Sequence, residues 1–115
     1  MTPLIAEFGL GTSLRRGDYT GAAERAVRHA LWRNSINLAE LMGFDRADMV
    51  IEVTVAVQEP EVVDLGAVRA AFPYGDARVR AVFGGLNVPR ADGTFAVMAQ
   101  AALVVGFEME RTCSG

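Results

Sequence analysis

The feature that most limits what this chain can fold into is a strand–turn–helix unit at its start. Leu4-Ile5-Ala6-Glu7-Phe8-Gly9-Leu10-Gly11 reads as an apolar strand, Thr12 to Asp18 as a polar turn, and about Gly21 to Asn34 as an Ala-rich helix. The alternation puts Leu4, Ala6, Phe8 and Leu10 on one side and Ile5, Glu7, Gly9 and Gly11 on the other. The bulkier apolar side is expected under the helices, so Glu7 is expected to point away from them. Gly9 and Gly11 bare the backbone and permit close approach of another chain or a ligand.

In the turn, Thr20 is the expected N-cap, and Glu24 lies near enough to support the first helical turn. Helix-start amides together with Arg15 and Arg16 can hold a carboxylate or phosphate; the alternative is a pair of solvated arginines. On the helix, steps of about 100° place Ala23, Val27, Ala30 and Leu31 in a core stripe ending at Asn34, with Arg25, His29 and Trp32 opposite. His29 is therefore expected to be exposed or at a contact. Trp32 suits a subunit interface, because a rigid aromatic buries much area at little entropic cost.

The rest of the chain alternates strands with one short helix. Arg33 to Asn37 can bond the last carbonyls of the first helix. Leu38 to Met42 suit a further helical turn closed by Gly43, and Asp45 to Asp48 a turn. Met49 to Gln58 is the clearest strand, with Ile51, Val53, Val55 and Val57 on one side and Glu52, Thr54, Ala56 and Gln58 on the other. Asp64 caps a short helix from Leu65 to Phe72, stopped by Pro73 and Gly75. Ala77 to Phe83 is a third strand, with Val79, Ala81 and Phe83 opposite Arg78, Arg80 and Val82. Gly84-Gly85 breaks or bulges it, and Leu86 to Pro89 runs extended into a turn at Ala91 to Thr94. Phe95 to Phe107 is a long last strand, and Arg111 to Gly115 a frayed tail.

This pattern predicts a single α+β domain over residues 1–115 in two layers. A four-stranded sheet has two helices on one face, in the order β-α-β-α-β-β. Two helices cover one face only. The other would carry Glu7, Glu52, Thr54, Arg78, Arg80 and Gln100 among Ile5, Ala56, Val82, Met98 and Ala102, a mixture suited to an antiparallel sheet with charges paired across strands or chains. So large an apolar share, with 51% hydrophobic residues overall, predicts that copies close over that face.

Composition removes several function classes. The formal charge of −3 and a pI near 5.1 leave no basic footprint for nucleic acid. No apolar run reaches the ~18 residues of a membrane span, and no basic-then-apolar signal pattern opens the chain. Cys113 is the only cysteine, so no internal disulfide forms, and a cytoplasmic protein is expected. All 11 basic side chains counted as Lys plus Arg are Arg, which excludes Schiff-base and Lys-base chemistry within this chain. One His and one Cys exclude a metal site of three or four His/Cys ligands. Nothing calls for a cofactor. Gly9-x-Gly11 lacks the third glycine of a dinucleotide loop. Glu7 and Glu52 form either an acid–base pair with divided roles or an ion network with Arg78 and Arg80.

The chain resembles the Lin-type family of small conserved bacterial and plant proteins of unknown function, marked near its start by Gly-x-Gly-x-Asp-x-His-Gly. The resemblance rests on Gly9-x-Gly11 after a strand, the Ala-rich helix ending in Asn34-Ser35, Pro60-Glu61-x-Val63-Asp64, Phe72-Pro73-Tyr74-Gly75, Gly84-Gly85-Leu86 and Val88-Pro89. It spans nearly the whole chain. Ser13, Arg15 and Arg16 stand at the positions of the Asp, the His and the last Gly. The resemblance therefore implies a divergent member and brings no activity with it.

The resulting expectation is a homo-oligomer that binds or transforms a small anionic molecule at a subunit boundary. Gly9, Gly11, Ser13, Arg15, Arg16, Arg78 and Arg80 would hold the ligand, and Glu7 or Glu52 would act as base if a reaction occurs. The alternatives are a non-catalytic partner subunit beside a paralogue that keeps the motif, and a purely structural assembly protein. The sequence names no reaction.

Overall fold

The computed structural model describes residues 2–15, 17–33, 49–72 and 76–107, with the side chains of 6–15, 17–31, 50–72 and 76–106. Arg16, the helix end at Asn34 to Asn37, the helical turn at Leu38 to Met42, the turn at Asp45 to Asp48, the stop at Pro73 and Gly75, and the tail from Arg111 lie outside the described residues. So do the side chains of Ile5 and Trp32.

The elements are β1 (Thr2–Ser13), α1 (Tyr19–Arg33), β2 (Met49–Val57), a 3-10 turn (Pro60–Val62), α2 (Leu65–Arg69), β3 (Asp76–Phe83), β4 (Leu86–Pro89) and β5 (Phe95–Phe107). Among the described residues these make a mixed α+β fold of two helices and one sheet. The sheet has five strands there, rather than the four expected. The main order is β1-β5-β2-β3, and β4 pairs with β5 off that path. The fifth strand comes from Gly84-Gly85, which is a crossing rather than a bulge. β3 runs parallel beside β2; past the end of β2 the chain steps inward, and β4 takes the place next to β5. Gly84 presses on Ala56, where a Cβ would stand 2.8 Å from the Ala56 Cβ, and Gly85 has a φ of +63°. Only glycine makes that step without strain. The Gln58 amide locks it, donating to the carbonyls of Gly84 and Gly85 at 3.0 Å each.

The pairing is also not purely antiparallel. β2 and β3 are parallel because α2 carries the chain back across the sheet between them. β5 is antiparallel to β1, β2 and β4 alike, and its length lets one strand hold three others. Its alternation is as expected: Val97, Ala99, Ala101, Leu103 and Val105 are buried, as are Ile51, Val53, Val55 and Val57 of β2.

On β1 the expected sides are exchanged. Phe8 and Leu10 are 65% and 52% exposed, while Gly9 and Gly11 are buried beneath α1. Any Cβ on Gly9 would collide with the backbone of Ala26, and one on Gly11 with the backbone of Ala22 and Ala26. The close approach that the glycines permit is that of the protein's own helix. Small residues on both partners explain it: Ala22, Ala26 and Ala30 meet the two glycines, so helix and strand nearly touch backbone to backbone.

Two helix boundaries also differ. α1 begins at Tyr19, two residues earlier than a Thr20 cap allows, and Asp18 does the capping. Thr20 instead accepts the Asp64 backbone N–H at 2.9 Å, tying α1 to the start of α2. Asp64 caps α2 as expected, accepting from Ala67, but α2 ends at Arg69 and not at Phe72.

Candidate functional site

The uncovered face of the sheet can be built row by row from the pairing. Residues opposite one another share a face, so Phe8, Ala102, Thr54 and Arg80 form one row across β1, β5, β2 and β3. Leu10, Gln100, Ala56 and Val82 form the next, and Ala6, Val104, Glu52 and Arg78 the one before. Leu86 and Val88 of β4 extend the face opposite Met98 and Ala96. The face is thus apolar over β1 and β4, which flank β5 and leave Phe8, Leu10, Leu86 and Val88 all exposed, and its other part, over β2 and β3, is ionic.

In the ionic half, Glu52, Thr54, Arg78 and Arg80 line an open cavity of about 240 Å³ over β2 and β3. The parallel register sets Glu52 beside Arg78 and Thr54 beside Arg80. Arg80 donates from Nε to Thr54 Oγ1 at 3.0 Å, which fixes the guanidinium while leaving its two terminal nitrogens uncommitted to that bond. Arg78 is held by Asp76, with Nε and Nη2 at 3.1 and 3.0 Å from one carboxylate oxygen. Both partners are more than half exposed, so the pair positions Arg78 and adds little stability. A second cavity, of about 260 Å³, adjoins the first through Thr54 and is lined by Phe8, Ala56, Gln100 and Ala102. Together they form a surface with cationic donors at one end and an aromatic ring at the other.

The other expected site residues lie elsewhere. Glu7 shares the helix side of β1 with Gly9 and Gly11, whereas Glu52 is on the uncovered face two strands away, so the two carboxylates are not brought together. Gly9 and Gly11 are sealed by α1 on their own face. Ser13 is 1% exposed and its hydroxyl donates to Asp18 Oδ2 at 2.8 Å while accepting the Arg15 backbone N–H at 3.2 Å. Asp18 Oδ1 accepts the Gly21 backbone N–H at 2.9 Å. A carboxylate of the protein itself therefore sits at the start of α1. The Ser13 hydrogen bond is the main reason that the Asp18 carboxyl stays below its usual range; burial opposes this, and the Gly21 amide and the charges of Arg15 and Arg25 reinforce it. Arg15 is exposed at this loop, apart from the Arg78–Arg80 cavity.

At the same end of the sheet, Tyr19 is buried and its hydroxyl receives a 2.9 Å bond from Asn87 of β4. Burial raises its phenol above the ordinary value. No group of three or more His, Cys, Asp or Glu side chains suited to a metal ion occurs among the described residues, and no helix there is long and apolar enough to cross a membrane.

Thr54 and Asp76, which fix the two arginines, were not singled out as site residues from sequence, nor were Phe8 and Leu10. One signal for the latter was present. Glycine at alternate strand positions next to a helix with alanine every four residues marks the face on which strand and helix meet, leaving the bulky side outward.

The profile of a family described as "Conserved hypothetical protein (Lin0512_fam)" matches residues 3–105. A crystal structure described as an FtsZ-like protein of unknown function from Nostoc punctiforme PCC 73102 superposes with a TM-score of 0.80. It is 32% identical, over 90% of this chain and 93% of that one. No curated protein matches.

Proposed function

The chain belongs to the Lin0512 family, and on that premise we propose that it works as an oligomer whose copies close over the uncovered sheet face and hold a small anionic molecule there. The observation that carries this reading is the cavity over β2 and β3, where Arg80 braced by Thr54 and Arg78 braced by Asp76 stand beside exposed Phe8, Leu10, Leu86 and Val88. Planar guanidinium groups with some donors already fixed are suited to a carboxylate or phosphate. A second copy laid on the apolar half removes water from the ionic half and strengthens that attraction. Glu52, on the rim of the same cavity, is the group placed to accept a proton if the bound molecule reacts.

Native mass spectrometry of protein taken directly from cells tests this, since it reports copy number and any retained small molecule together. Arg80→Ala is expected to lose the retained anion while keeping the mass of the assembly. Retention unchanged in Arg80→Ala but lost on changing Arg15 and Arg16 to Ala moves the ligand to the loop after β1.

The second reading, a non-catalytic subunit beside a motif-bearing paralogue, is supported by that same loop. Ser13 is buried and bonded to Asp18, so neither it nor Arg15 offers an acid–base group. A mixed complex on co-expression with such a paralogue is the result that favours it.

A further inference from the structure

Among the described residues, β1 lies at the end of the strand order, with β5 on one side and no strand on the other. In an antiparallel strand the residues alternate, each sending both its N–H and its C=O to the same side. Leu10 and Thr12 are two apart, so both direct their backbone groups outward from β5. Two side chains of α1 reach these groups. His29 Nδ1 accepts the Leu10 N–H at 3.0 Å, and Arg25 Nη1 donates to the Thr12 carbonyl at 2.6 Å. His29 and Arg25 are one helical turn apart, which matches the spacing of the two strand residues they meet.

We propose that Arg25 and His29 form a removable seal on the free edge of β1, and that the edge they cover pairs with the same edge of a second copy about a two-fold axis at Gly11. The symmetry of the covered groups carries the choice of occupant. An axis at Gly11 sets Leu10 opposite the partner's Thr12, so the sealed donor of one copy meets the sealed acceptor of the other, twice over. The same register sets Phe8 opposite the partner's Leu14, and each of these is 65% exposed in the single chain. No other sequence is needed to satisfy the edge. Joining β1 to β1 leaves the uncovered faces of both copies free, so this contact is independent of the sheet-to-sheet closure proposed above. A bare strand edge is a standing route to uncontrolled pairing, and side chains folded over it restrict that route.

Arg25→Ala with His29→Ala removes the seal. Light scattering is expected to show at least twice the mass of the parent assembly, with slower amide hydrogen exchange at Leu10. Adding Thr12→Pro removes an outward N–H that the edge pairing needs, without touching a bond to β5 or a residue of the apolar face contact, and is expected to restore the parent mass. An unchanged mass in the folded double variant overturns the proposal, as does a raised mass that survives Thr12→Pro.

If the double variant does not fold, His29→Ala alone supplies the test, since it bares the Leu10 N–H and leaves the Arg25 bond to the Thr12 carbonyl in place. A concentration-dependent rise in mass above that of the parent supports the seal, and a constant mass overturns the proposed pairing.

Discussion

The two faces of the sheet carry the same strands and yet have opposite chemistry. Beneath α1 the contact is made from the smallest residues in the chain, Gly9 and Gly11 against Ala22, Ala26 and Ala30. On the uncovered face the same strand presents Phe8 and Leu10, both more than half exposed. Packing quality and hydrophobicity are thus separated within one strand. The side that holds the fold together is the less hydrophobic side chain for side chain, because close approach of helix to strand gains dispersion contacts along the whole backbone. The side left over is too apolar for plain solvent exposure, which is why a second copy is the natural cover.

The comparison breaks most sharply at Gly11. Gly11→Val forces a branched side chain into the backbone of Ala22 and Ala26, and urea or thermal unfolding should show a loss of about 3 kcal/mol or more. A loss under about 1 kcal/mol would mean that α1 does not lie this close to β1.

A smaller effect is expected where the covered face ends. Asp18→Ala leaves the buried Ser13 hydroxyl without its acceptor and the Gly21 amide uncapped, costing about 1–2 kcal/mol. The Asp18 carboxyl is held below its unfolded value, so its contribution is fully present above the ordinary carboxylate range and is lost as the pH falls through the folded value. Asp18→Asn should therefore flatten the acid limb of a stability–pH curve measured below about pH 4. An unchanged limb would place that pH dependence on other groups.

The least effect on folding belongs to the uncovered face. Phe8→Ser should alter the stability of the single chain by no more than about 0.5 kcal/mol while lowering the mass of the assembly at a given concentration. If Phe8→Ser unfolds the chain, the ring packs within one molecule and the contrast between the faces fails.

Much of the architecture is legible in the residues. The period-two pattern of Met49 to Val57 and of Phe95 to Phe107, the Asp64 cap and the Ala91 to Thr94 turn all appear as read, the last with Arg90 N–H on the Thr94 carbonyl at 2.8 Å. The side of β1 that meets the helix is not legible there, because bulk ordinarily marks burial and here the partner helix is rich in alanine and needs glycine opposite it. Strand number is not legible either, because Gly84-Gly85 suits a break or bulge and a crossing equally well at the level of local conformation. Of the site residues, Arg78, Arg80 and Glu52 do gather in one cavity, since a parallel register between β2 and β3 aligns them. Glu7 does not join them, because it shares the helix side of β1 with Gly9 and Gly11.

The sequence by itself determined most of the elements, the inner and outer residues of β2 and β5, and a chemistry limited to acids, arginine and hydroxyls. These follow from alternation and composition, which are local. Tertiary structure alone decided which face of β1 the helix covers, that Thr54 and Asp76 fix the two arginines, and that Arg25 and His29 close a strand edge. Each of those depends on two segments far apart in the chain meeting in one register, and no periodicity within either segment encodes where the other will lie.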